Sequence, residues 1–135
     1  MRRALLAALL VLMVGCDSSP TEPSRVETLS GTLPRAGSTV ATVSMNDTGN
    51  LRIIGNEMKV VAADGTETRA TSGMTVTMGN GSATECIASG TFGLVEGGVL
   101  SLGLNKGDYC IRLTEPTQVP EGASLRYALS LEIRD

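Results

Sequence analysis

The sequence predicts an all-β protein, a single antiparallel β-sandwich of about eight strands, with a closed barrel as the second choice, that follows a short helical segment at the N-terminus. Three observations carry this. In the last segment Leu125, Tyr127, Leu129, Leu131 and Ile133 alternate with Arg126, Ala128, Ser130, Glu132 and Arg134, a period of two that buries one face and solvates the other. Turn chemistry recurs between short apolar stretches from position 34 onward. Beyond residue 15 no apolar pattern keeps the 3.6-residue period of a helix.

The chain divides into three parts: residues 1–15, residues 16–25 and residues 26–135. In the first, Arg2 and Arg3 precede an apolar run from Ala4 to Val14, and Gly15 precedes Cys16. The charges hold the N-terminus on the cytoplasmic side, the run enters the export machinery as a helix, and Gly15 gives a peptidase access to the backbone. The run falls well short of the roughly 20 residues that span a bilayer.

Met13-Val14-Gly15-Cys16 resembles the lipobox of bacterial lipoproteins, with Met at the position where Leu is commoner. The resemblance implies cleavage before Cys16, a diacylglyceryl thioether on its sulfur and acylation of its new amine. Several acyl chains hold a protein firmly, because each buried methylene contributes about 0.8 kcal/mol whereas a single chain is marginal. It also implies a protein anchored by lipid to a membrane of the bacterial envelope, with its domain in the periplasm or at the cell surface. Asp17, next in line, resembles the residue that retains lipoproteins in the inner membrane of enteric bacteria.

With lipid on Cys16, the remaining cysteines, Cys86 and Cys110, are left as a pair. In an oxidising compartment a disulfide between them is the simplest expectation, worth roughly 3 kcal/mol for a loop of about 25 residues. A two-cysteine metal site is the alternative. It is disfavoured, because the chain has no histidine and neither cysteine has a second ligand beside it.

Residues 17–24, Asp17-Ser18-Ser19-Pro20-Thr21-Glu22-Pro23-Ser24, contain two prolines and no apolar side chain, the composition of a flexible tether. Extended at roughly 3.3 Å per residue it reaches about 30 Å. Strands are then expected at Val26 to Leu33, Thr39 to Met45, Leu51 to Ile54, Met58 to Ala63, Met74 to Met78 and Ala83 to Ala88. Pro34 to Gly37, Asn46 to Asn50, Gly55-Asn56, Asp64-Gly65 and Gly79 to Gly81 read as the turns between them. Leu100, Leu102 and Leu104 alternate, as do Tyr109, Ile111 and Leu113; with Asn105 to Asp108 between, the two look like a hairpin.

The segment Ser30-Gly31-Thr32-Leu33, the run from Leu104 to Leu113, and Tyr127-Ala128-Leu129-Ser130-Leu131 resemble the bacterial pre-peptidase C-terminal domain. Members of that family are jelly-roll-like sandwiches appended to secreted enzymes or standing alone in envelope proteins. The likeness covers the last third of the chain well. Residues 51–90 lack the family's aspartate- and aromatic-rich pattern, so it implies a fold and no ligand site.

Composition narrows the chemistry. Loss of residues 1–15, with Arg2 and Arg3, leaves nine basic against fourteen acidic residues, a formal charge of −5. An acidic chain without a Lys/Arg cluster argues against nucleic acid as partner and leaves lipid as the means of membrane attachment. Without histidine the usual base for a serine or cysteine nucleophile is missing, so no enzyme, cofactor or metal is expected. Asn46 to Asn50 and Asp64 to Glu67 offer oxygens to calcium, but they suit tight turns better.

The expected function is a non-catalytic binding or structural module of the cell envelope, its partner an envelope protein or a polysaccharide. A carbohydrate-binding module is the sharper alternative, yet Tyr109 and Tyr127 fall on the core side of their strands and only Phe92 is left for stacking on sugars. An envelope hydrolase using surface carboxylates, such as Glu85 with Asp108, is the third and weakest reading.

Overall fold

A computed structural model describes residues 23–135, so the signal segment, Cys16 and Asp17 lie outside the described residues. Nine strands form two antiparallel sheets: β1 (Arg25–Pro34), β2 (Ser38–Met45), β3 (Gly49–Val61), β4 (Glu67–Arg69), β5 (Met74–Gly81), β6 (Cys86–Leu94), β7 (Val99–Leu104), β8 (Gly107–Thr114) and β9 (Ser124–Arg134). One sheet runs β1-β9-β3, with β7 and β4 one after the other along the far edge of β3; the other runs β2-β8-β5-β6. Leaving out the short β4, first pairs with last, second with next to last, and so inward, with β5 and β6 as the innermost pair. That nesting is the jelly roll.

Alternation builds the core. Leu125, Leu129, Leu131 and Ile133 of β9 are buried, as are Leu51 and Ile53 of β3. Opposite them lie Val43 and Met45 of β2, Val76 and Met78 of β5, and Ile111 and Leu113 of β8. Tyr127 is buried, and Phe92 and Tyr109 pack half-buried against the same cluster, so all three rings serve the core.

The structure corrects four expectations. Gly55-Asn56 is no turn: β3 runs through it, and Asn56 is the extra residue of a bulge between Gly55 and Glu57 in the pairing with β9. β9 is long enough to pair both halves, and inserting one residue restores the inward phase from Ile53 to Met58. β7 and β8 do not form a hairpin; β7 pairs with β3 while β8 lies between β2 and β5. Leu104 and Tyr109 reach the same core from opposite sheets, so Asn105 and Lys106 turn a corner between layers.

The third correction bears on the site. Gly79 to Gly81 belong to β5, the reversal falls at Ser82 to Glu85, and β6 continues to Leu94 instead of spanning 83–88. Ser24 and Arg25, placed in the tether by sequence, are held by the fold: Ser24 N–H donates to the Ile133 carbonyl at 2.8 Å and Arg25 opens β1.

Candidate functional site

Cys86 of β6 and Cys110 of β8 are joined, with a Cα–Cα distance of 5.7 Å. These strands are not neighbours, since β5 lies between them. Two strand spacings of about 4.8 Å would set them roughly 10 Å apart in a flat sheet. The β5–β6 tip is therefore folded over the outer face of its sheet.

The local sequence permits this. A bulge at Met78/Gly79 increases the bend, with Ser89 as the unpaired residue on β6. The bridge crosses Gly79, where a Cβ would meet the Ile87 carbonyl oxygen at 2.5 Å and Cys110 Sγ at 2.9 Å. Gly81, with φ of 118°, starts the reversal in a conformation that favours glycine.

The folded tip makes one wall of a depression of about 470 Å³. Gly81, Ser82 and Glu85 line it from the tip, Asp108 from β8, and Thr42 and Ser44 from β2. Ser44 Oγ donates to Asp108 Oδ1 at 2.7 Å. On the tip, Ser82 N–H donates to the Glu85 carbonyl at 3.2 Å and Glu85 N–H to Ser82 Oγ at 3.2 Å. Arg25 donates to the Ser44 carbonyl, so the chain enters the domain beside the groove.

Glu85 and Asp108, named as a possible acid pair from sequence, thus line one groove, and both are exposed. Among the described residues neither forms an ion pair, whereas most glutamates elsewhere do. Arg52 holds Glu132 at 2.7 Å, Arg126 holds Glu57 at 2.7 Å and also Glu67, and Lys59 holds Glu96 at 3.3 Å. Three hydroxyls, two carboxylates without a cationic partner and a bare glycine backbone suit a polar ligand. No aromatic ring borders them.

The calcium-like segments behave as turns: Asp64 Oδ1 accepts from Thr66 N–H at 2.9 Å, which lowers the carboxyl from its ordinary value. Sequence reasoning missed Glu115, which is 1% exposed. Its Oε2 accepts from Ala36 N–H at 2.7 Å and Thr117 N–H at 2.9 Å, and its Oε1 from Gln118 N–H at 2.8 Å and Val119 N–H at 3.0 Å. Burial pushes this carboxyl up, but the four donors outweigh it and hold it below the usual glutamate range. A signal was present, for Glu115 continues the inward phase of Ile111 and Leu113.

No family model matches the chain, and no characterised protein matches it by sequence. Among solved structures it is similar to the Yersinia pseudotuberculosis-derived mitogen, at 13% identity and a TM-score of 0.55, covering 84% of this chain and 88% of that one. It also matches a family 35 carbohydrate-binding module from Clostridium thermocellum (16% identity, TM-score 0.40, 78% of this chain and 89% of that one). A third match is the carbohydrate-binding module CBM36 in complex with calcium and xylotriose (15%, 0.32, 79% and 87%). Of these three, the mitogen superposes closely enough to speak to the fold, and at that identity it speaks to the β-sandwich alone.

Proposed function

We propose that this chain is a lipid-anchored, non-catalytic binding module of the bacterial envelope, and that it engages a polar partner in the groove between the β5–β6 tip and β2. The observation that carries the reading is the groove itself, with Glu85 and Asp108 free of cations and Thr42, Ser44 and Ser82 presenting hydroxyls. A protein partner fits better than a polysaccharide, because Phe92, Tyr109 and Tyr127 all pack on the core and leave no ring for a sugar face. The kinship with the pre-peptidase C-terminal domain belongs to this proposal too, supported by the jelly-roll order and the closing strand motifs.

The lipid on Cys16, the signal cleavage and the lean of Asp17 towards the inner membrane are part of the same proposal. Arg25 contacts the groove residue Ser44, so a tether of about 30 Å would join the domain beside the groove. Intact mass spectrometry of protein extracted from its own membranes is expected to report acyl mass on Cys16; an unmodified chain would remove the anchor. Affinity capture from envelope extracts is expected to recover a partner with the native chain and to lose it with Glu85→Gln plus Asp108→Asn. Capture indifferent to that pair of changes would remove the groove.

One observation favours a second reading, since the groove brings together the two carboxylates that a glycoside hydrolase needs. Against it, both are exposed, whereas the general acid of such enzymes works from an apolar, desolvated setting. Turnover of envelope polysaccharide that is abolished by Asp108→Asn would establish it in place of the first.

A further inference from the structure

We infer that the Cys86–Cys110 bridge is a redox-controlled wall of the groove: formed, it holds Ser82 and Glu85 over the floor; reduced, it lets the β5–β6 tip return towards the plane of the sheet and opens the groove. This rests on the reading of the groove as the binding site and concerns how that site is regulated.

Three features of the fold support it. First, the bridge joins strands that are not neighbours and brings Cα atoms to 5.7 Å where about 10 Å is the flat-sheet separation. A staple between adjacent strands would leave the sheet's shape alone, whereas this one bends it. Second, β6 is an edge strand, paired only with β5. The side-chain and backbone hydrogen bonds of residues 82–85 stay within the tip, and the pairing of β5 with β8 ends at Asn80 and Tyr109, so among the described residues the bridge is the bond that ties residues 81–86 to β8. Third, the tip gives the groove three of its six lining residues, including one of its two carboxylates, so a moving tip removes half the lining.

The two sulfurs differ in access. Cys86 is half-buried and Cys110 fully buried. A thiolate of a protein dithiol therefore attacks Cys86 Sγ, forming a mixed disulfide while the electron pair of the broken S–S bond leaves on Cys110 Sγ, which takes up a proton. The second thiol of the reductant then attacks its own sulfur in the mixed disulfide and releases Cys86, which is protonated in turn. The dithiol is oxidised to a disulfide as two electrons and two protons pass to Cys86 and Cys110.

The test compares full-length protein in detergent in three forms: oxidised, reduced with excess dithiothreitol, and as Cys86→Ser with Cys110→Ser, which needs no reductant. Amide hydrogen exchange and backbone NMR shifts are read in each. The expected result is exchange at least tenfold faster over residues 81–88 in the reduced and double-serine forms, shifted resonances at Ser44 and Ser82, and unshifted resonances in β3 and β9. Perturbation confined to the immediate neighbours of residues 86 and 110 would overturn the inference. Collapse of the dispersed resonances throughout the domain would overturn it as well, because the bridge would then hold the fold and not the wall. No ligand enters these measurements, so a groove that captures no partner leaves their outcome intact, and the two proposals fail separately.

Discussion

Replacing Glu115 by Gln tests how one end of the sandwich is held together. The carboxylate takes four backbone N–H groups from two loops, Ala36 between β1 and β2 and residues 117–119 between β8 and β9. Glutamine keeps the shape and changes the chemistry. Its carbonyl oxygen can still accept two of the donors, but its NH₂ group then faces the other two, donor against donor. Two N–H groups left without acceptors in a shielded site cost about 1–3 kcal/mol each, and the surviving pair weakens as its acceptor loses charge. Relief from burying a charge offsets part of this. The net expected loss at pH 7 is about 3 kcal/mol, a large share of the 5–15 kcal/mol typical of a domain.

Urea unfolding followed by far-ultraviolet circular dichroism reads this directly, since the chain contains no Trp for fluorescence. The pH dependence supplies an independent check. The folded carboxyl titrates below its ordinary value of 4.5, so the unfolded chain binds the proton first. Its contribution is therefore complete above about pH 4.5 and is lost as pH falls through the folded value. The gap between native and Glu115→Gln proteins should narrow over that acid range. Asp64, Glu67, Glu96 and Asp135 are also lowered, each by its own hydrogen bonds, so the native curve alone would mix their effects with that of Glu115. A loss below about 1 kcal/mol at pH 7, or a gap that stays constant down to pH 3, would refute the account.

Three further perturbations probe the same framework. Thr117→Gly should stabilise the protein by about 1 kcal/mol in urea unfolding, because Thr117 sits at a φ of 64° that glycine adopts freely, while its N–H to Glu115 is retained. Leu129→Ala, at a fully buried position of β9, should cost about 2–5 kcal/mol by the same measurement through lost transfer energy and the cavity left behind. Gly79→Ala should lower the melting temperature in calorimetry by several degrees, as its Cβ would press on the Ile87 carbonyl and Cys110 Sγ, at a cost of about 1–3 kcal/mol. Equal melting of the Gly79→Ala and native proteins would mean that the bridge does not lie over β5 as described.

What the sequence disclosed and what it withheld follow from the range of the forces involved. Alternation is local and exposes itself: Leu125 to Ile133 read as a strand with one buried face, and that strand is the centre of its sheet. Which strands pair is decided by contacts far apart in sequence. Asn105 and Lys106 therefore looked like a hairpin turn, although β7 and β8 belong to opposite layers. Gly55-Asn56 marked a real irregularity, and only the partner strand β9 decided that it was a bulge. The candidate site shows the same division. Cysteine counting paired Cys86 with Cys110, and their neighbours Glu85 and Asp108 were noticed for lying beside them. The groove was hidden because it depends on β5 passing between the bonded cysteines, a fact of topology. A disulfide between adjacent strands would have set Glu85 along an edge, whereas this one swings it over the sheet into the groove that Asp108 also lines. The glycines at 79 and 81, read as a turn, are what allow that passage.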